Sequence, residues 1–171
     1  MPIPNPYHKL FFSNGFVIEP PPTDPYLPAS SPLLTGFFFD SDISTPENST
    51  GEVTNDRTAL LGCFNFNALG ASLGCDSKGP DCDWQFTGLR YNFTSGKEDL
   101  VVTQILTTSS CPDLSNCNLI LVELGSEFQN LTTLQINVTV AGAPKIWWMD
   151  DLKLGWYDNS CSAGLCRQKN I

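Results

Sequence analysis

Pro144-Lys145-Ile146-Trp147-Trp148-Met149-Asp150-Asp151-Leu152-Lys153-Leu154-Gly155-Trp156-Tyr157 is the longest run of the chain that reads with one period. Side chains of a β-strand alternate between two faces. The even positions give Ile146, Trp148, Asp150, Leu152, Leu154 and Trp156; the odd ones give Trp147, Met149, Asp151, Lys153 and Tyr157. The even face is apolar except for one carboxylate, and the odd face mixes aromatics with charge. The run therefore predicts a strand with Trp148, Leu152, Leu154 and Trp156 in a core and Trp147 and Tyr157 outside. It leaves open what satisfies Asp150 and what covers Trp147.

Just upstream, Leu134, Ile136, Val138 and Val140 alternate with Gln135, Asn137 and Thr139, a half-buried strand. Ala141 to Pro144 is predicted to join the two strands as a hairpin. Further strands are expected at Leu119–Leu124, Leu100–Leu106, around Trp84 and Phe86, and in one or two pieces from Phe64 to Cys75, where glycines admit a bulge. Phe37-Phe38-Phe39 reads as a buried strand, and Lys9 to Glu19 as two short strands about Ser13-Asn14-Gly15. Residues 20–34 and 40–57 are predicted surface loops, the first because three consecutive prolines exclude a central strand. No window keeps a 3.6-residue period, and 13 Gly and 13 Pro punctuate the chain. Its 171 residues predict a single domain, 1–171. The fold class expected is all-β, an antiparallel β-sandwich of jelly-roll type with few or no helices.

A net charge of -9 with scattered Lys and Arg argues against nucleic acid as a partner. Seven cysteines are many for a cytosolic protein. Cys75 and Cys82, Cys111 and Cys117, and Cys161 and Cys166 each bracket a polar loop, which predicts three local disulfides and leaves Cys63 over. The absence of a Cys-x-x-Cys motif or a neighbouring histidine disfavours zinc. Asn48, Asn92, Asn130 and Asn137 open Asn-x-Ser/Thr sequons and are candidate glycosylation sites. Cysteines and sequons together predict an extracellular or cell-surface protein. Residues 1–7 lack the basic and apolar regions of a signal peptide, and no run is long enough for a transmembrane segment. The expectation is the C-terminal module of a longer secreted protein.

Four stretches carry a resemblance: Leu10-Phe11-Phe12-Ser13-Asn14-Gly15-Phe16; Gly70-Ala71-Ser72-Leu73-Gly74-Cys75 with Gly79-Pro80-Asp81-Cys82; Pro144 to Leu152; and Cys161-Ser162-Ala163-Gly164-Leu165-Cys166-Arg167. Through them the chain, over about residues 7–167, resembles a fungal domain of unknown function found in secreted and cell-surface proteins. More distantly, Asp150-Asp151 on the last strand is similar to galactose-binding-like jelly rolls, which include many carbohydrate-binding modules. That resemblance implies a galactose-binding-domain-like sandwich. The chain departs from the pattern in lacking the opening Phe-Asp-Asp-Leu-type strand, in keeping with a first strand missing from a fragment.

Adjacent strand residues face opposite ways, so Asp150 and Asp151 do not form a glycosidase pair. An inward Asp150 needs a partner: backbone N–H groups, Arg90, or a structural Ca²⁺; a β-bulge between the two aspartates would swap their roles. Trp147 and Tyr157, with Asp151 and Lys153 between them and Tyr26 and Tyr91 from loops, have the chemistry of a sugar platform, flat rings for C–H faces and polar groups for hydroxyls. The competing expectation buries Trp147 under a loop such as 20–34, or against the sheet if this strand is internal and packed on both faces. The sole histidine, His8, rules against Ser-His-Asp and Cys-His catalysis. The function expected is non-catalytic: an extracellular carbohydrate-binding module for cell-wall or host polysaccharide, with no cofactor apart from that Ca²⁺. The alternatives are a structural or adhesive domain that binds a cell-surface protein, and an enzyme acting on polysaccharide through two carboxylates.

Overall fold

A computed structural model describes residues 1–19, 25–39 and 49–170, without the side chains of Arg57 and Thr58. The described residues form strands β1 (Phe11–Phe12), β2 (Phe16–Glu19), β3 (Tyr26–Leu27), β4 (Leu34–Phe37), β5 (Gly51–Thr54), β6 (Phe66–Cys75), β7 (Cys82–Asn92), β8 (Lys97–Thr108), β9 (Cys117–Asn118), β10 (Ile120–Glu123), β11 (Thr133–Val140), β12 (Ala143–Pro144) and β13 (Trp147–Trp156), with a 3₁₀ helix (Asp56–Leu61) after β5 and one α-helix, α1 (Cys161–Lys169), at the end. One antiparallel sheet has the order β1-β5-β11-β7-β8, with β12 beside β11. The second has the order β10-β6-β13-β4-β2. Alternation on each strand gives each sheet one apolar face. Trp84, Phe86, Leu134, Ile136 and Val138 of the first sheet meet Phe37, Phe66, Leu73, Trp147 and Met149 of the second in one core. The molecule is a jelly-roll-like antiparallel sandwich.

The register of β13 corrects the face assignment. Trp147 to Asp150 stand opposite Cys75 to Ser72, but Lys153 stands opposite Gly70. From Asp150 to Lys153 three steps on β13 match two on β6, and from Lys153 to Leu154 one step on β13 matches two on β6. Each strand therefore bulges by one residue, Asp151 stands in the left-handed region at φ 50°, and the register after the pair of bulges is the one before it. Each bulge swaps the faces of its own strand beyond it, so both strands change phase together: β6 sends Leu73 and Ala71 to the core on one side of the irregularity and Ala68 and Phe66 on the other. Odd residues Trp147 and Met149 face the core before it; even residues Leu152, Leu154 and Trp156 pack against the core after it. Gly70, opposite the bulge at φ 155°, leaves room for the Val122 carbonyl of β10 that a Cβ would strike.

Trp147 is thus not an exposed platform. It is 0% exposed, stacked on Phe37 at 5.1 Å and edge-on to Phe16 and Trp84 at 5.5 and 5.8 Å. Its indole N–H finds no acceptor among the described residues. Trp148 is buried as expected, but on the outer face of its sheet, with Tyr26, Leu34 and Cys111.

Other expectations change for topological reasons. Ala141 and Gly142, at φ 49° and 79°, do turn the chain back, but the hairpin they close is between β11 and the short β12, and β13 then crosses to the other sheet. β1 and β2 likewise part across Gly15, at φ 106°, to pair with β5 and β4. Within the two predicted loops, Tyr26–Leu27 runs parallel to Cys117–Asn118, and Gly51–Thr54 pairs with β11. Residues 20–24 and 40–48, with Asn48, lie outside the described residues.

The tail is a helix rather than a stapled loop. Ser160 caps α1 by accepting the N–H of Ala163. Residues five apart on a helix point roughly 140° away from each other, so Cys161 cannot reach Cys166. Cys166 instead bonds Cys63, with Cα atoms 6.3 Å apart, and Cys161 is free and exposed. Cys75–Cys82 and Cys111–Cys117 pair locally as expected. Arg167 lies over the Trp156 ring at 4.9 Å and donates to the carbonyls of Cys63 at 2.6 Å and Asp158 at 2.9 Å.

Alkylation of the denatured, unreduced protein should therefore label one thiol, on the peptide bearing Cys161. Cys63→Ser should lower stability by about 4 kcal/mol, as expected for opening a loop of roughly a hundred residues, and Cys161→Ser should leave it unchanged; urea melts read both. Trp147→Ala should cost about 3–5 kcal/mol by the cavity it leaves. Trp147→Phe, which removes the unpaired N–H along with the ring volume, should cost less.

Candidate functional site

The bulged half of β13 forms one side of a groove, and the N-terminal segment forms the other. The backbone of residues 1–3 runs beside β2: the Met1 ammonium donates to Ile18 O at 2.8 Å and Ile3 N–H to Phe16 O at 3.3 Å. Tyr7 and Leu10 then exchange backbone hydrogen bonds around a turn with His8 and Lys9 at φ 49° and 71°. Asn5 pins this turn through both backbone groups of Phe12, at 2.7 and 2.8 Å. The Lys9 ammonium donates to Arg167 O of α1 at 2.7 Å. Between turn and strand lies a space of about 650 Å³. Met149, Leu152, Leu154 and Trp156 line it from β13, and Leu10 and Phe12 from the turn. Tyr7, His8, Asp150 and Asp151 supply its polar groups.

Asp150 takes its hydrogen bonds from Ser30 and from its own neighbour. Its carboxylate accepts the N–H of Ser30 at 2.7 Å and of Asp151 at 2.8 Å. The Ser30 hydroxyl donates to Asp151 Oδ1 at 2.8 Å. Arg90 is elsewhere, donating to the carbonyls of Asn130 and Gln129 at 2.7 and 3.1 Å. The partners of Asp150 are donors, whereas Ca²⁺ takes six to eight oxygen ligands. Among the described residues no three acidic, His or Cys side chains gather as a metal site. The arrangement does not fit a calcium ion; it ties the segment before β4 to the bulge.

The remaining sequence candidates disperse. Tyr26 is buried with its ring against Gly74, where a Cβ would come within 2.5 Å of it. Its hydroxyl donates to Cys75 O at 3.0 Å and accepts Cys75 N–H at 3.1 Å, and burial pushes its ionisation above the usual value. It is a structural side chain. Lys153 and Tyr157 are exposed on the face opposite Leu152 and Leu154, outside the groove. Tyr91 belongs to the β7–β8 hairpin, edge-on to Phe93 at 5.4 Å. Only Asp150 and Asp151 of the named residues line the groove. Tyr7, His8 and Trp156 were not legible as site residues, because β13 and the turn meet only through the fold.

The model of one family, a domain of unknown function (DUF7371), matches residues 1–167. The chain belongs to this DUF7371 family. No curated protein matches it. Among solved structures, a DUF4465 family protein from Bacteroides caccae is similar with a TM-score of 0.52 at 12% identity, over 86% of this chain and 79% of that one. The CBM22-1 xylan-binding domain from Paenibacillus barcinonensis Xyn10C gives a TM-score of 0.48 at 8% identity, over 88% of this chain and 87% of that one. The DUF4465 protein and this DUF7371 domain share the sandwich fold.

Asp150→Ala should release the Ser30 segment. We expect a loss of about 1 kcal/mol and faster proteolysis between residues 25 and 33 than in the parent, read by limited digestion and mass spectrometry. Added Ca²⁺ or EDTA should move the melting temperature of neither protein.

Proposed function

We propose that this DUF7371 domain is a non-catalytic, extracellular carbohydrate-binding module that takes a glycan chain in the groove between the Tyr7–Leu10 turn and β13. The observation that carries this reading is the composition of that groove. Its volume of about 650 Å³ suits a small-molecule site. Its walls are apolar and aromatic, which serves the C–H faces of sugar rings, and its polar groups lie where hydroxyls need acceptors. Tyr7 is 44% exposed at the groove, with His8 and Phe12 edge-on to it at 4.4 and 6.2 Å, so part of its ring is open for stacking. Asp151 is exposed, and among the described residues only its Oδ1 is engaged, by Ser30. From Asp150 to Trp156 the strand runs roughly 20 Å, longer than one sugar ring.

The charges narrow the ligand. Two carboxylates line the groove, while the Lys9 ammonium is committed to Arg167 O. A neutral or amino sugar fits this balance better than a uronate, which would bring like charge beside Asp151. Three disulfides among the described residues suit an oxidising, extracellular setting.

The test is depletion of the folded protein from solution by insoluble chitin, β-1,3-glucan, mannan or cellulose. We expect retention on at least one, weakened about tenfold or more by Tyr7→Ala and by Asp151→Ala, and unchanged by Tyr157→Ala. Retention lost with Tyr157→Ala alone would move binding to the outer face of the sheet. Failure on all four supports would leave the structural or adhesive role as the better account.

A further inference from the structure

The β7–β8 hairpin ends in a cluster that the groove does not use. Asn92 Oδ1 accepts the N–H of Thr94 at 2.8 Å and of Ser95 at 3.3 Å, and Asn92 O accepts the N–H of Gly96 at 2.8 Å. This tight turn holds Phe93 66% exposed, with the edge-on Tyr91 ring behind it. Leu100, across the hairpin, is 64% exposed. Together with Asn92 and Asp99 these side chains line a cleft of about 480 Å³. Apolar rings left open to water at a hairpin tip are unfavourable unless something covers them.

The sequence supplies a covering group, for Asn92-Phe93-Thr94 is a sequon whose middle residue is that exposed ring. Asn92 Nδ2 donates to Asp99 Oδ2 at 2.7 Å, so the amide is fixed at the cleft. That bond uses one of its two hydrogens and leaves the other for substitution. The other described sequons are less open. Asn130 accepts from Asn65 and its Thr132 is 1% exposed, while Asn137 has its Oδ1 buried.

We propose that Asn92 carries an N-linked glycan whose first N-acetylglucosamine lies in this cleft against Phe93 and Leu100. In the attachment, Nδ2 attacks the anomeric carbon of an oligosaccharide carried on a lipid diphosphate. The C–N bond forms as the C–O bond to the diphosphate breaks, the lipid diphosphate leaves, and one Nδ2 proton is lost. The sugar's C–H face and acetyl methyl then cover the rings, and Asp99 keeps its bond from the remaining Nδ2 hydrogen. The inference rests on the extracellular setting but not on polysaccharide binding in the groove.

The experiment uses the full chain secreted from a eukaryotic host. Thr94→Ala removes the sequon and leaves the Asn92 turn bonds in place. Peptide mass mapping should find Asn92 occupied in the parent, in Thr94→Ser and in Phe93→Ala, and vacant in Thr94→Ala. The parent should melt roughly 2–4 °C above Thr94→Ala. That difference should vanish when the pair is compared again in a Phe93→Ala background, which separates sugar stacking from any effect of Thr94 itself. A vacant Asn92 in the parent overturns the proposal. So does an occupied Asn92 whose contribution to melting is zero, or is the same with and without Phe93. Retention on polysaccharide should not change with Thr94→Ala, so the groove and the hairpin fail or hold separately.

Discussion

The matched bulges of β13 at Asp150–Asp151 and of β6 beside Gly70 decide where the aromatic side chains of the last strand go. Before them, Trp147 faces Phe37, Phe16 and Trp84 and fills the centre of the sandwich, while Trp148 turns outward to meet Tyr26. After them, Leu152, Leu154 and Trp156 turn toward the interior beneath the N-terminal turn. A strand without the bulge would send Leu152, Leu154 and Trp156 to the outer face if Trp147 kept its place. The acids and Gly70 allow the bulge: Asp151 adopts a positive φ that short polar residues tolerate, Asp150 holds its neighbour's N–H, and Gly70 admits the Val122 carbonyl.

This local event also marks the limit of what sequence periodicity tells. The alternation at Leu134–Val140 translates directly into β11, because that strand keeps one register against both neighbours. Trp84 and Phe86 are inside for the same reason. In the tryptophan-rich stretch the period of two is also real, but its phase changes partway, and a phase read from the whole run puts Trp147 on the wrong side. The pairing partner supplies the missing information, and it lies some eighty residues away in β6.

The tail shows a second kind of ambiguity. Cys161 and Cys166 sit in a segment with Ser, Asn and Gly, which suits a stapled loop as well as a capped helix. What favours the helix is distant: Cys63, Phe64 and Trp156 offer a surface on which Ala163, Cys166 and Arg167 pack. The groove was hidden in the same way. Its two walls come from opposite ends of the chain, and neither carries a motif when read alone. Fold class and two of the three disulfides follow from local pattern, while the third disulfide and the site follow from tertiary contact.

The Cys63–Cys166 bond encloses a covalent ring with a sequence separation of 103 residues, which includes β6 to β13. Tension applied between the two ends of the chain would pass from Cys63 to Cys166 through the sulfur bridge and bypass those strands. Only the segment before Cys63 could pay out, to roughly 220 Å at full extension, together with the few residues after Cys166. A domain wired this way is a mechanical shunt: under load it sheds its N-terminal strands while most of both sheets stays inside an unloaded loop.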